Sequence, residues 1–361
     1  MEEQIVMQEP PMEEKPDKPK KKVKHKGLII AGSILGGLLI VILILYFVFT
    51  CNTQIIVGLL QKVSYGDNPI NSYEPFYESI NGKKDNGQYL ISEIKYDTEY
   101  PNSFLDITYP DENREADRPT LFYFHGGGFF AGSKNMGDPM AATEATALLD
   151  DICAAGYNIV NVDYALVPDY HFPVPLIQAN RAFAYIQEHA EEYHLNMNNV
   201  VIMGSSAGAI ITSQLGSIIT NPEYAKLLGI TPAFKPEQVK AVVLDDAPLD
   251  YEKFDFNTKI LVGNYMKGSI YLNKDEIKKY NNIKSLTANY PAAVLLGSEY
   301  RHDMNVMHKE LDKLGCEHIL VDPYAEHGVK KPHCFVAEER VDEIAKDAFD
   351  RMMAFINKKT K

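Results

Sequence analysis

From about residue 90 to the C-terminus, short apolar runs alternate with longer stretches whose apolar positions recur at helical spacing. "LISEIKYD" and "SFLDITYP" read as paired strands. "TLFYFHGG", "YNIVNVDY", "VVIMG", "VKAVVLDD", "PAAVLLG" and "EHILVDP" read as buried strands. Helical patterning occupies about 139–155, 173–193, 206–220, 304–315 and 338–357. This alternation predicts an α/β fold, a mostly parallel sheet with helices on both faces. Ligands bind such sheets beyond the carboxyl ends of the strands, so polar residues just after the strands are the candidates for chemistry. Two segments interrupt the alternation. Residues 51–88 precede the first strand, and residues 249–287 separate two strands by more than a usual loop. Both are candidate cap segments.

The amino-terminal region follows a different pattern. Residues 1–26 are polar and charged, carry Pro10, Pro11, Pro16 and Pro19, and read as a disordered tail. Lys18, Lys20, Lys21, Lys22, Lys24 and Lys26 crowd its end, and no charged residue then appears before Lys62. Residues 27–50 are long and apolar enough to span a bilayer. A cleaved signal peptide normally has a shorter apolar region. A lipoprotein signal would place a small residue before Cys51, where Thr50 stands. Whether the helix is cleaved stays open. Positive charge before the helix places the tail in the cytoplasm and residues 51–361 outside it. The expected organisation is therefore a tail (1–26), a transmembrane helix (27–50), a linker or cap segment (51–88) and a catalytic domain (89–361).

A net charge of −13 argues against a nucleic-acid partner. Cys51, Cys153, Cys316 and Cys334 form no CxxC pair, which argues against thiolate metal binding. The outer face permits disulfides, and the sequence leaves pairing open, as it does the oligomeric state.

The strongest chemical signal is "VVIMGSSAGAI". A buried strand stops at Gly204 and a helix starts almost at once. In a G-x-S-x-G elbow, a serine at that sharp turn projects above the sheet beside a helix amino end. Gly204 and Gly208 as outer glycines make Ser206 the central serine and Ser205 the spacer. The bland alternative is a helix start with a serine cap. A second motif weighs against it. "FYFHGGGFFAG" places His125 and three glycines directly after another buried strand. Acyl transfer through serine creates an oxyanion that backbone N–H groups must stabilise, and glycines let the backbone approach it.

Together "HGGGFFAGSK", "VDYALVPDYHFPVPLIQANRAFAYI" and "VVIMGSSAGAI" resemble the hormone-sensitive-lipase-like branch of the α/β-hydrolases, over roughly residues 90–357. The resemblance implies Gly127, Gly128 and the Ala207 amide as the oxyanion hole, with His125 and Asp163 supporting the loop. "KKPHCFVAEER" is similar to that branch's late GHxF segment and makes His333 the expected base, with His327 as competitor. The acid is expected after "PAAVLLG". There the branch has "EYDPLRD" and this chain reads "EYRHDMN", with Arg301 at the aspartate's place. Asp303 is the expected acid and Glu299 the alternative.

The expected protein is a single-pass, membrane-anchored serine carboxylic-ester hydrolase. It works through an acyl-enzyme on short- or medium-chain acyl esters, acetyl esters among them, with no metal or organic cofactor. Its expected partners are a small-molecule ester and the membrane. A non-catalytic binding protein on this scaffold and a serine peptidase of the same fold are the alternatives; Arg301 is the best support for the first.

Overall fold

The computed structural model describes residues 23–135 and 145–360. The expected tail as far as Lys22, and the start of the helix expected from 139, lie outside the described residues. The chain divides into two units, Met1–Val48 and Phe49–Lys361. In the first runs most of α1 (Val23–Cys51). Its span Ile29–Cys51 has a mean hydropathy of 2.8, and its 23 residues match the ~30 Å of a bilayer core.

The second unit is built on nine strands: β1 (Asn81–Lys83), β2 (Tyr89–Lys95), β3 (Phe104–Tyr109), β4 (Pro119–Phe124), β5 (Asn158–Val162), β6 (Asn196–Ser205), β7 (Val239–Asp245), β8 (Ala292–Leu296) and β9 (His318–Val321). Its helices are α2 (Gln54–Tyr65), α3 (Ala145–Ala154), α4 (Val174–Glu188), α5 (Ala207–Thr220), α6 (Pro222–Leu228), α7 (Phe256–Lys267), α8 (Lys274–Tyr280), α9 (Arg301–Leu314), α10 (Pro323–His327), α11 (Phe335–Glu338) and α12 (Glu343–Thr360). The strands form one sheet in the order β1-β2-β3-β5-β4-β6-β7-β8-β9. β1, β2 and β3 pair antiparallel, as do β3 and β5, and every pair from β5 to β9 is parallel.

Side-chain alternation along the central strands builds a core on each face. Leu121, Tyr123, Val201, Met203 and Val243 pack with α3, α11 and α12. Phe122, Phe124, Ile202, Val242 and Leu244 pack with α4, α5 and α9. Phe122 meets Phe183 edge-on at 4.8 Å, and Phe183 stacks on Phe234 at 4.3 Å. Each such pair adds about 0.5–1.5 kcal/mol beyond its burial. The helix expected over 338–357 is α12, which starts only at Glu343, where Asp342 accepts the Ile344 and Ala345 amides; Glu338 instead ends the short α11. Segment 51–88 holds α2 and β1, and segment 249–287 holds α7 and α8. The four cysteines are all thiols.

Candidate active site

Ser206 stands between the last residue of β6 and the first of α5 at φ 53°, ψ −115°. Such a backbone costs a non-glycine residue on the order of 1–3 kcal/mol and persists only where the surroundings fix it. Two features fix it here. The Ser206 N–H donates to the Asp245 carbonyl at 2.8 Å. Helix α5 also lies so close to β4 that a Cβ on Gly208 would fall 1.9 Å from the Phe124 carbonyl oxygen. The neighbouring serine has a different environment. Ser205 is buried; its hydroxyl donates to Asp245 Oδ2 at 2.8 Å and accepts from Tyr123 at 3.1 Å.

The glycine loop after β4 turns just as tightly. Gly127 has φ 97° and Gly128 φ 58°. The Gly127 carbonyl accepts from Phe130 and Ala131, and a Cβ on Gly127 would lie 2.2 Å from the Ala131 oxygen. His125 lies beneath, donating from Nδ1 to the Gly126 carbonyl at 2.8 Å and stacked on Tyr164 at 4.2 Å. Burial pulls its pKa down to about 4, so the ring is neutral. Asp163 accepts the Lys134 amide, and burial pushes its pKa up to about 7 against the pull of Lys134. The Lys134 ammonium pairs with Glu93 and with Asp106 at 3.3 Å. Helix α2 grips the far side of this loop. Gln61 donates to the Phe130 and Val167 carbonyls at 3.0 and 2.6 Å, and Tyr65 accepts from Gly132 at 2.9 Å.

His333 precedes α11. Its Nδ1 lies 2.7 Å from Asp246 Oδ2 and 3.5 Å from Glu299 Oε2. Asp246 follows β7 at φ 58° and is fully buried. Its carboxylate accepts the amides of Ser298, Glu299 and Tyr300 at 2.9, 3.0 and 2.9 Å, and the Ser298 hydroxyl at 2.6 Å. These amides precede α9, where a helix favours an anion. Burial alone would raise the Asp246 pKa. The hydrogen bond and charge of His333, with the Ser298 hydroxyl and amide, outweigh burial and hold it below the usual value.

The expected acid is not at His333. Asp303 is buried in the first turn of α9, where Oδ1 accepts the Leu249 and Asp250 amides at 2.9 and 2.6 Å. Burial raises its pKa, and the Asp250 and Leu249 amides and the nearby His302 only partly offset it. Arg301 is occupied elsewhere, with Nε 3.0 Å and Nη2 2.8 Å from the Asp322 carboxylate. His327 is half-exposed at the end of α10, with Nε2 3.9 Å from Glu326. Asp246 is the residue the sequence reading missed. Its signal is the aspartate pair closing "VKAVVLDD", one strand earlier than the branch pattern directs.

Ser206, Ala207, Gly128 and His333 line one cavity of about 200 Å³, walled also by Leu261 of α7 and by Tyr300. This is below the roughly 300–1,000 Å³ of typical small-molecule sites.

The mostly parallel sheet with helices on both faces, and a serine elbow at a strand–helix turn, define an α/β-hydrolase. The BD-FAE family matches residues 105–314, more than half of the chain, and the chain belongs to that family, of the esterase and lipase kind. It is 28% identical to Lipase 2 of Moraxella sp. (strain TA144) over 116 residues, 32% of this chain and 25% of that protein's length. It is also similar to esterase B from Lactobacillus rhamnosis, solved with a tributyrin phosphonate inhibitor. There the TM-score is 0.62 at 18% identity, covering 85% of this chain and 93% of that one. For an esterase of Rhizomucor miehei the TM-score is 0.55 at 21% identity, covering 71% and 79%.

Proposed function

We propose that the protein is a serine carboxylic-ester hydrolase with Ser206 as nucleophile, His333 as base and Asp246 as the acid. The observation that carries this reading is the 2.7 Å contact of His333 Nδ1 with a buried, amide-cradled Asp246, beside a cavity that Ser206 shares. With Nδ1 turned to Asp246, Nε2 is the nitrogen that takes the Ser206 proton. The serine oxygen attacks the ester carbonyl, and the amides of Gly127, Gly128 and Ala207 stabilise the tetrahedral oxyanion. Ala207 opens α5, so its N–H is one of the amides a helix leaves unpaired within itself. His333 returns the proton to the departing alcohol, leaving an acyl-enzyme. It then deprotonates water, which releases the carboxylic acid and restores Ser206.

The small cavity favours short acyl groups, acetyl among them, and α7 acts as the cap over it. Asp246 also removes the force of the Arg301 departure, because the chain does not need an acid at that position. Helix α1 serves as a single-pass anchor with the catalytic unit outside the cytoplasm, a reading supported by its apolar span and the preceding lysines.

The test uses the full-length chain in detergent, a fluorophosphonate probe and p-nitrophenyl acetate. Wild type and Ser205→Ala label and turn over. Ser206→Ala does neither, with turnover down on the order of a thousandfold or more. Labelling that survives in Ser206→Ala overturns the reading.

A further inference from the structure

A second cluster of titratable side chains lies away from this site, at the edge of the sheet. His308 and Asp312 stand four residues apart on α9, so they project from the same face. The helix ends at Leu314, Gly315 turns the chain at φ 70°, and β9, last in the sheet order, begins with His318. The turn brings His318 back against the helix. One ring nitrogen from each histidine and one Asp312 oxygen all lie within 4.8 Å of one another.

We propose that His308, Asp312 and His318 form a binding site for a divalent transition metal of the zinc type, tying α9 to β9. His318 carries the argument. Its side chain is 5% exposed, and its Nδ1 donates to the Cys316 carbonyl at 2.8 Å. That bond fixes the tautomer and leaves Nε2 with its lone pair, the arrangement that orients metal-bound histidines. Nε2 accepts a hydrogen bond from His308 Nδ1 at 2.6 Å, a proton that a metal would replace, and lies 3.7 Å from Asp312 Oδ1. The Asp312 carboxylate also lies 3.4 Å from His308 Nε2.

Metal–ligand bonds of about 2.0–2.1 Å in a tetrahedron set neighbouring ligands about 3.3 Å apart. The 2.6 Å contact between the rings, made through His308 Nδ1, is shorter than that spacing, and the two distances to Asp312, one of them from His308 Nε2, are slightly longer. Binding needs the two rings to part by under ~1 Å and His308 to commit one nitrogen, while water fills the fourth position. Two imidazoles and one carboxylate suit zinc, cobalt or nickel and are poor for calcium or magnesium. His308 is one-third exposed and Asp312 mostly exposed, so the metal has an entry path. The site lies at the end of α9 opposite the amides that hold Asp246, about 16 Å along the helix at 1.5 Å per residue. Its role is to brace the helix, and it takes no part in the ester chemistry.

The test titrates untagged full-length protein in detergent with Zn²⁺ by calorimetry, and with Co²⁺ by visible absorption. Wild type binds one equivalent with micromolar affinity or better, shows a tetrahedral Co²⁺ band, and gains a few degrees in Tm at a hundredfold excess over Kd. His308→Ala and Asp312→Asn change side chains outside the buried core, one partly and one mostly exposed, so both fold; each weakens binding at least tenfold and loses the Tm gain. His318→Ala does the same. His333→Ala binds as wild type does, which matters because Asp246, Glu299 and His333 are close enough to hold a metal themselves. Binding that survives in His308→Ala and His318→Ala but is lost in His333→Ala overturns the proposal, as does wild-type binding no tighter than millimolar.

Discussion

After β7 the chain reads Asp246-Ala247-Pro248-Leu249-Asp250, and after β8 it reads Gly297-Ser298-Glu299-Tyr300-Arg301-His302-Asp303. The strands are neighbours, and each loop lends the other a carboxylate. Asp246 from the first accepts three consecutive amides of the second. Asp303 from the second accepts two amides of the first. The two aspartates are equivalent as loop braces, and they differ in what else they face. Asp246 meets His333 and its pKa is lowered against its burial; Asp303 meets backbone and its pKa is raised. An aspartate on a loop beyond the strand ends becomes a candidate acid through the imidazole beside it; the amides around it decide where it sits and favour its ionised form.

The largest effect that can break this comparison is on turnover. Asp246→Asn places a donor where His333 Nδ1 needs an acceptor. It lowers kcat roughly 10³–10⁴-fold on p-nitrophenyl acetate, by analogy with the same swap in other serine triads. Asp303→Asn keeps kcat within a few-fold of wild type. A dead Asp303→Asn beside an active Asp246→Asn would return the acid to α9 and sink the assignment.

Stability should separate the same pair in the opposite sense. Asp303→Ala leaves one buried and one part-buried amide without their acceptor, a loss of about 2–4 kcal/mol at ~1–3 kcal/mol per unmet group. Asp303→Asn retains an oxygen for both amides and recovers most of the loss. Urea midpoints of the two variants read this directly; equal midpoints would remove the bracing role.

How far the sequence revealed this site follows from how local each feature is. Each strand, the Ser206 elbow and the glycine loop are written in under a dozen consecutive residues, and the sheet order β4-β6 sets the two motifs side by side. The proposed base, His333, was readable from its place before Phe335. The proposed acid, Asp246, was not. The loops after β7 and β8 end beside each other, so a carboxylate on either can reach the same imidazole. No local pattern says which one does. The reciprocal bonds between these loops join residues more than 50 positions apart, such as Asp246 and Ser298.

Acid titration gives a smaller and more selective contrast. The folded pKa of Asp246 is depressed, so its stabilising contribution is present in full above the ordinary aspartate value of about 3.9. It is lost as pH falls through the lower folded value. Asp303 is raised, so its ionisation works against the fold as pH rises through its folded value. Between pH 5 and pH 3, Asp246→Asn therefore loses stability less steeply than wild type, by at most about 1.4 kcal/mol per pH unit for one proton. Parallel pH dependences for the two proteins would show that folding does not depress the Asp246 pKa.

Glu299 offers the finest distinction, because it belongs to the second loop yet also approaches His333. Its Oε2 is 3.5 Å from Nδ1, against 2.7 Å for Asp246, and its side chain is 56% exposed. Burial raises its pKa, and His333 pulls it back. An exposed carboxylate at this distance does not hold the ring, which Asp246 already holds, but its charge favours the imidazolium. Removing that charge makes His333 easier to deprotonate, so the acidic limb of kcat/KM moves to lower pH. Solvent screening keeps the movement small, and added salt shrinks it further. Glu299→Gln should therefore leave the plateau kcat within about twofold of wild type while displacing that limb. A plateau loss approaching that of Asp246→Asn would make Glu299 a second member of the catalytic pair. An unmoved limb would reduce it to a surface residue whose amide, given to Asp246, is its whole contribution.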